Sequence, residues 1–452
     1  MNRVLLLILL MVLTVSRGFS KDISLTVYNK NLAIVKIVYE LNFDKGLQTL
    51  SFTDVSKRID PTSVRFTAEN GAVAILEQNF RYDLVNSQKV LERYIDRNIT
   101  IWVEGGELIE GVLQSVAGDV VLKGKDGGIK IVKLSAIKQF DFPELPEGLI
   151  TRPTLFWKLY SKTAQTTETE VSYMTAGFDW HAEYTAVVSD DEKEMELSSW
   201  VSINNNSGAT YKDSKLKLVA GDIHRVQPKK LIQREVPVQA ELFGKEPDMG
   251  FEERELFEYH LYELEGKTTV HNEEVKQIAL FPTAITKVKK LLIYDPWKND
   301  RKVTVKIEFT NDEKDGLGIP LPAGKVRVYK RDTDGTIEFI GEDALDHTPR
   351  NEDIRLTLGS AFDVAAERNV VDTSRISKTV REETIEISLR NRKKESIRVT
   401  AVEHVRGDWE IIKKSDSFEK KDAYTIEFTV AIPAGSEKTI TYTVRYREGI
   451  ER

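Results

Sequence analysis

Alternation of apolar and polar side chains with a period of two runs through most of this 452-residue chain. In its later half Val303, Val305, Ile307 and Phe309 alternate with Thr304, Lys306 and Glu308. Ile385, Ile387 and Leu389 repeat the pattern, as do Tyr424, Ile426, Phe428 and Val430, and then Ile440, Tyr442, Val444 and Tyr446. Successive side chains of an extended strand point to opposite faces, so such a chain buries one face of a sheet and wets the other. A helix needs apolar residues every third or fourth position, and that spacing is scarce here. The best helical candidate, Ala361 to Val370, reads equally as a strand with Phe362, Val364 and Ala366 on one side, and strand is the expectation. Asp126-Gly127-Gly128 and Asp334-Gly335 separate such runs and tolerate the positive φ of tight hairpins.

The length exceeds what one core serves and implies roughly two to four domains. Turn and proline placement divides the chain into a leader over 1–20, an amino-terminal β segment over 21–87 packing on the main sandwich, and a small barrel of the SH3-like or Sm-like kind over 88–142. Pro143, Pro146 and Pro153 then read as a stiff linker. A β-sandwich follows over 150–375, interrupted by a polar, flexible loop near 226–254, and an immunoglobulin-like sandwich occupies 378–452. The expected fold class is therefore all-β: multi-domain β-sandwiches with a small barrel inserted. IEFT at Ile307 precedes LPAG at Leu321, and IEFT at Ile426 precedes IPAG at Ile432; recurring turn chemistry accounts for this echo without a duplication.

At the amino terminus Arg3 precedes an almost wholly apolar stretch from Val4 to Val15, followed by Ser16, Gly18 and Ser20. A helix needs roughly 20 apolar residues to cross a bilayer, so the stretch reads as a cleaved secretory signal peptide, with an uncleaved anchor as the alternative. The expected destination is the periplasm or the cell exterior, with no membrane span after cleavage. The chain has no cysteine, which excludes disulfides, thiolate metal sites and cysteine nucleophiles. Lys and Arg number 65 against 72 Asp and Glu, a net charge of −7, and this acidic balance argues against nucleic acid as a partner.

The six histidines, His181, His224, His260, His271, His347 and His404, form no HxH, HxxxH or HExxH spacing. No metal site, cofactor or catalytic residue is therefore assigned. Four residues remain as binding candidates: Trp180, His181, Asp222 and His224. Asp222 and His224, two apart on a strand, can share a face, where the carboxylate would orient the imidazole as a general base or metal ligand; a surface histidine closing a strand end is the favoured reading. An exposed Trp180 beside His181 would stack on a sugar or a peptide side chain, whereas a buried one would plug the end of a sandwich core. The GxSxG elbow, the GxxxxGK[ST] phosphate loop and a strand-led GxGxxG are all absent.

GFDWHAEY at Gly177, NNNSGATYKDSKLKLVAGDIHR at Asn204, EYHLYELEGKTTVHNEEVKQIALF at Glu258, LPAGKVRVYKRDTDG at Leu321, GEDALDHTP at Gly341 and LGSAFDV at Leu358 occur in that order. Together they resemble a bacterial family catalogued as domain of unknown function 4139, the mucoidy-inhibitor-like proteins, from about residue 25 onward. The resemblance implies a β-sandwich fold and an envelope setting, and it brings no catalytic residues. The function expected from scaffold without visible chemistry is an exported, non-enzymatic binding or scaffold module for an envelope protein or a cell-wall polymer, docking through the small barrel. The alternative is an envelope carbohydrate or peptide hydrolase using a His/Asp site near the 226–254 loop.

Overall fold

The computed structural model describes residues 20–53, 55–71, 73–146, 149–221, 251–256 and 259–447. These residues are mostly strand, and the fold is all-β with several sheets. The leader expected over 1–20 lies outside the described residues except for Ser20, as does the 226–254 loop up to residue 250. Among the described residues no helix is long and apolar enough to cross a membrane. They form two compact units, one built from residues up to 179 with 204–217 and 267–274, the other from 180–203, 218–266 and 275 onward.

In the first unit, Ser20–Tyr28, Leu32–Phe43, Gln165–Thr175 and Arg65–Ala68 lie side by side in one sheet. Thr154–Ser161 is the centre of a second, three-stranded sheet, between Gly46–Thr53 and Val73–Arg81. The alternation of TLFWKLYS turns Leu155, Trp157 and Leu159 inward, where all three are fully buried. The Trp157 ring meets Phe66 of the first sheet at 5.1 Å, and its indole N–H reaches Gln78 Oε1 at 2.8 Å. Two sheets thus close on one aromatic core.

The same unit carries a five-stranded sheet in the order Ile137–Asp141, Asn98–Val103, Leu108–Ser115, Val120–Lys123, Ile129–Val132. The barrel expected over 88–142 does not close: its two end strands, Ile129–Val132 and Ile137–Asp141, share no ladder. A short helix the alternation did not reveal, Ser87–Arg93, is capped by the Asn86 side chain, which accepts from Lys89 N at 2.9 Å. It sends Val90 into the small core beside Tyr94 and Leu149, so helix and flanks cover the side that strand pairing leaves open.

The second unit holds a five-stranded sheet, Glu274–Lys287, Glu194–Asn205, Phe178–Val188, Gly324–Arg331 and Ile337–Leu345, each strand assigned by where most of it lies. Its middle pair, Phe178–Val188 with Gly324–Arg331, is parallel. Gly324 is required there: a Cβ at this position would stand 2.1 Å from the Ala182 carbonyl oxygen. Gly435 of the second PAG string instead sits at φ +64° in the turn between Thr425–Ile432 and Glu437–Arg447, strands that do not pair with each other, so the two strings serve different backbone needs. A nine-stranded sheet runs Asp408–Lys414, Glu437–Arg447, Val380–Asn391, Asp353–Arg375, Lys302–Thr310, Lys289–Tyr294, Ile397–His404, Thr425–Ile432 and Glu419–Lys420. It curls until Ile385, Ile387 and Tyr442 of one half share a core with Val399, Phe428 and Val430 of the other. The interior half of Lys302–Thr310, Ile307 and Phe309, packs instead with Tyr184, Val188 and Val326 of the five-stranded sheet.

Within Asp353–Arg375 the stretch 361–370 is strand, but Phe362 does not share a face with Val364 and Ala366. Ser360 pairs with Thr304 and Ala365 with Lys302, so four residues bulge out opposite Val303 alone. Phe362 is 100% exposed, whereas Val364 and Ala366 are buried.

Three strand ends are fastened by fully buried asparagines. Asn205 Nδ2 donates to the carbonyls of Ala209 (2.9 Å) and His271 (2.8 Å). Asn311 Nδ2 donates to Ile319 (2.7 Å) and Pro349 (2.8 Å), and Asn391 Nδ2 to Glu395 (2.8 Å), Ile432 (3.1 Å) and Pro433 (3.0 Å). Each Oδ1 accepts from a nearby backbone N–H, of Ser207, Gly318 and Lys393 respectively. Every polar atom of these side chains thus has a partner away from water.

Candidate functional site

Asp222 and His224 lie outside the described residues. Trp180 and His181 are neighbours on Phe178–Val188 and therefore face opposite ways. Trp180 is 2% exposed; its indole N–H donates to the Val219 carbonyl at 3.2 Å and its ring meets Tyr262 edge-on at 6.3 Å. It fills the core end rather than presenting a stacking face. His181 points outward, its Nε2 3.5 Å from Glu183 Oε1. Among the described residues no three His, Asp or Glu side chains converge as a metal site.

Two concave sites in the second unit contain groups that could engage a ligand. The smaller, of about 130 Å3, is lined by Gly221, His260, Tyr262, Pro320, His347 and Thr348. His260 Nδ1 is 2.8 Å from Glu253 Oε1, and Arg350 donates to the other oxygen of that carboxylate at 3.0 Å. His347 Nδ1 accepts from Ala323 N at 3.1 Å. The Tyr262 hydroxyl donates to the Pro320 carbonyl at 3.0 Å, and burial, with the Glu253 charge adding to it, pushes that phenol well above its usual range. The site can orient the His260 imidazole against the Glu253 carboxylate, and among the described residues no serine or threonine hydroxyl is hydrogen-bonded to that imidazole.

The larger is a cleft of about 360 Å3 between the five-stranded and nine-stranded sheets. Its floor is apolar: Val188, Leu292, Val305, Ile307, Ile340 and Leu358. One wall is the bulged stretch Gly359 to Asp363, and Phe362 stands at its lip in full contact with water. The other wall carries Glu192, Lys290 and Lys330. Glu192 sits in the turn that joins Phe178–Val188 to Glu194–Asn205, where Glu192 N donates to the Ser189 carbonyl at 3.1 Å. It adopts φ +58°, an uncommon conformation for a side chain of this size. Its carboxylate accepts from both lysines, that of Lys330 at 2.7 Å. Burial alone would raise the Glu192 carboxyl, but the two ammonium groups outweigh it and hold the group below its usual range. This cleft can bind an elongated apolar group with a polar end.

Sequence reasoning did not assemble this cleft, because its parts come from strands far apart in the chain. The available signal was LGSAFDV, where glycine, serine and alanine interrupt the large apolar residues expected of a buried strand.

No curated protein matches the chain. Residues 169–447, more than half of the chain, match the family described as Domain of unknown function (DUF4139). That span takes in the whole larger cleft and the His260 pocket. The chain belongs to the DUF4139 family.

Proposed function

We propose that this protein is an exported cell-envelope β-sandwich protein that acts without catalysis, binding a segment of an envelope protein or a cell-wall polymer. The observation that carries the reading is the 360 Å3 cleft: an apolar floor open to solvent, with Phe362 wholly exposed at its lip. An exposed aromatic beside an unfilled apolar cleft is costly in water and gains free energy when a ligand covers it. The leader-like Arg3 to Ser20 segment supports export. The test is binding of purified wall polymer and envelope proteins to the wild type and to Leu358→Lys and Phe362→Ala, with Trp102→Ala on the small sheet as control. Loss confined to the cleft variants supports the reading, and undiminished binding by both removes it. Cell fractionation checks the location.

A second reading, an envelope carbohydrate or peptide hydrolase, draws on the Glu253-held His260 beside the smaller pocket. Turnover of wall fragments or peptides that disappears in His260→Ala would support it; absence of turnover by the wild type removes it.

A further inference from the structure

The larger cleft contains an interrupted strand. Asp353–Arg375 pairs with Lys302–Thr310 as far as Ser360 opposite Thr304 and again at Ala365 opposite Lys302, and its ladder with Val380–Asn391 begins at Val364 opposite Asn391. Ala361, Phe362 and Asp363 fall outside both ladders. The Asp363 carbonyl accepts from Arg392 N at 2.8 Å. Backbone amides that lie outside a ladder and line an open cleft are a template for another extended chain.

Two further features of the same wall favour a peptide backbone as occupant. Gly359, at φ +142°, has nothing within 4 Å of where a Cβ would project, and Ser360 and Ala361 that follow are small. A second main chain can therefore approach closely. Across the cleft, two ammonium groups share one carboxylate: Lys290 and Lys330 both bind Glu192, and all three are about two-thirds buried. The triad carries one net positive charge at the edge of an apolar floor whose lining also includes Asp363 and Lys393, and a second carboxylate would be favoured between its two ammonium groups.

Resting on the binding reading above, we propose that the cleft receives the carboxyl-terminal end of an extended apolar peptide. The peptide backbone pairs along Ala361 to Asp363, alternate side chains enter over Leu292, Ile307 and Leu358, and the terminal carboxylate lies between Lys290 and Lys330. No covalent step is involved.

The test uses the full chain and a pool of fluorescent pentapeptides in which threonine alternates with valine, leucine or phenylalanine. The pool is offered with a free terminal carboxylate, with a terminal amide, and with methylated backbone nitrogens; dodecanoate is the acyl competitor. The expected result is saturable binding of the free acid, weakened at least about tenfold by amidation and by backbone methylation. In Lys330→Met the free acid should fall toward the amide's affinity, while in Ala361→Pro, which removes the Ala361 N–H donor, the unmethylated acid should bind more weakly than to the wild type. The amidation and methylation comparisons are made on the ligand, so a variant that fails to fold leaves the wild-type arms decisive. Equal binding of acid and amide, or of methylated and unmethylated peptide, overturns the proposal. Dodecanoate binding with no peptide binding overturns it as well while leaving a binding cleft in place. Failure of every probe, dodecanoate included, overturns the proposal, while the reading beneath it stands or falls by the wall-polymer and envelope-protein binding described above.

Discussion

Arg368 and Glu403 form an ion pair inside the curled nine-stranded sheet: the guanidinium Nε lies 3.1 and 2.9 Å from the two oxygens of a carboxylate with no exposure to solvent. The Tyr442 hydroxyl donates to the same carboxylate at 2.5 Å. Burial pushes the Glu403 carboxyl up, and Arg368 and Tyr442 pull it down without fully offsetting that cost. The pair is therefore a constraint on which strands meet rather than a large source of stability.

Removing the cation should expose this balance. Arg368→Met strands the Glu403 carboxylate and should cost about 3 kcal/mol at neutral pH. With its folded-state carboxyl raised further, the variant keeps its stability below the unfolded value of about 4.3 and loses it as pH rises through the folded value. Urea unfolding of wild type and variant across pH should show the gap shrinking toward acid; a gap independent of pH contradicts it.

Buried tyrosines set the alkaline limit. Burial raises the phenols of Tyr173, Tyr184, Tyr262 and Tyr442, and pushes Tyr294 up to about 12. Each folded value exceeds the unfolded one, near 10, so this stability is complete below about pH 10 and falls as pH rises beyond it. Ultraviolet titration should show a late tyrosinate phase that coincides with loss of circular-dichroism signal.

The bulge at Phe362 can be checked by paired truncations. Phe362→Ala should change stability by no more than about 0.5 kcal/mol, because the ring is fully exposed. Val364→Ala, 2% exposed in the curled-sheet core, should cost about 1–2 kcal/mol. Equal costs in denaturant unfolding would mean that the two share a face.

The asparagine corners should be sensitive to small changes. Asn391→Ala removes one donor from the carbonyls of Glu395, Ile432 and Pro433, the last two of which keep Ser396 Oγ and Ser436 N, and should cost about 1–3 kcal/mol. Asn391→Asp, which sets an acceptor against those carbonyls, should cost more. Thermal melts of the two variants give the order directly.

Gly324→Ala tests the parallel strand pair. Its Cβ would meet the Ala182 carbonyl oxygen at 2.1 Å, and the strands must part to admit it. A loss of about 1–3 kcal/mol is expected, measured by urea unfolding; an unchanged midpoint would place the strands farther apart.

Much of the architecture was legible because burial enforces alternation. Ile385, Ile387 and Leu389 read as one buried edge and are one, and Trp180 at a sandwich core end is an arrangement the sequence allowed. What escaped depended on contacts remote in sequence or on single side chains. The bulge at 361–364 leaves no mark in apolar spacing, since Phe362 continues the very alternation it violates. The Ser87–Arg93 helix is too short to display a helical period, and Asn86 was its one cue. Asn205 sits in a string of polar residues typical of a surface turn, yet it is wholly buried because its amide answers carbonyls from residue 209 and from residue 271. Of the cleft, Val305 and Ile307 were legible only as the apolar edge of a strand, and the small residues Gly359 to Ala361 drew no reading of their own. Lys290, Lys330 and Glu192 come together only through the sheets, and no spacing rule links them.

The parallel pairing of Lys289–Tyr294 with Ile397–His404 has a consequence for how the molecule is made. Leu292 faces Val399, so one flank of the earlier strand stays bare until a stretch more than a hundred residues downstream has been synthesised. A chain emerging in order, from ribosome or translocation channel alike, must hold that sticky flank apart from its neighbours throughout the wait. A holding chaperone acting during biogenesis would find a long window there, and a nascent product truncated shortly before Ile397 would leave that flank exposed.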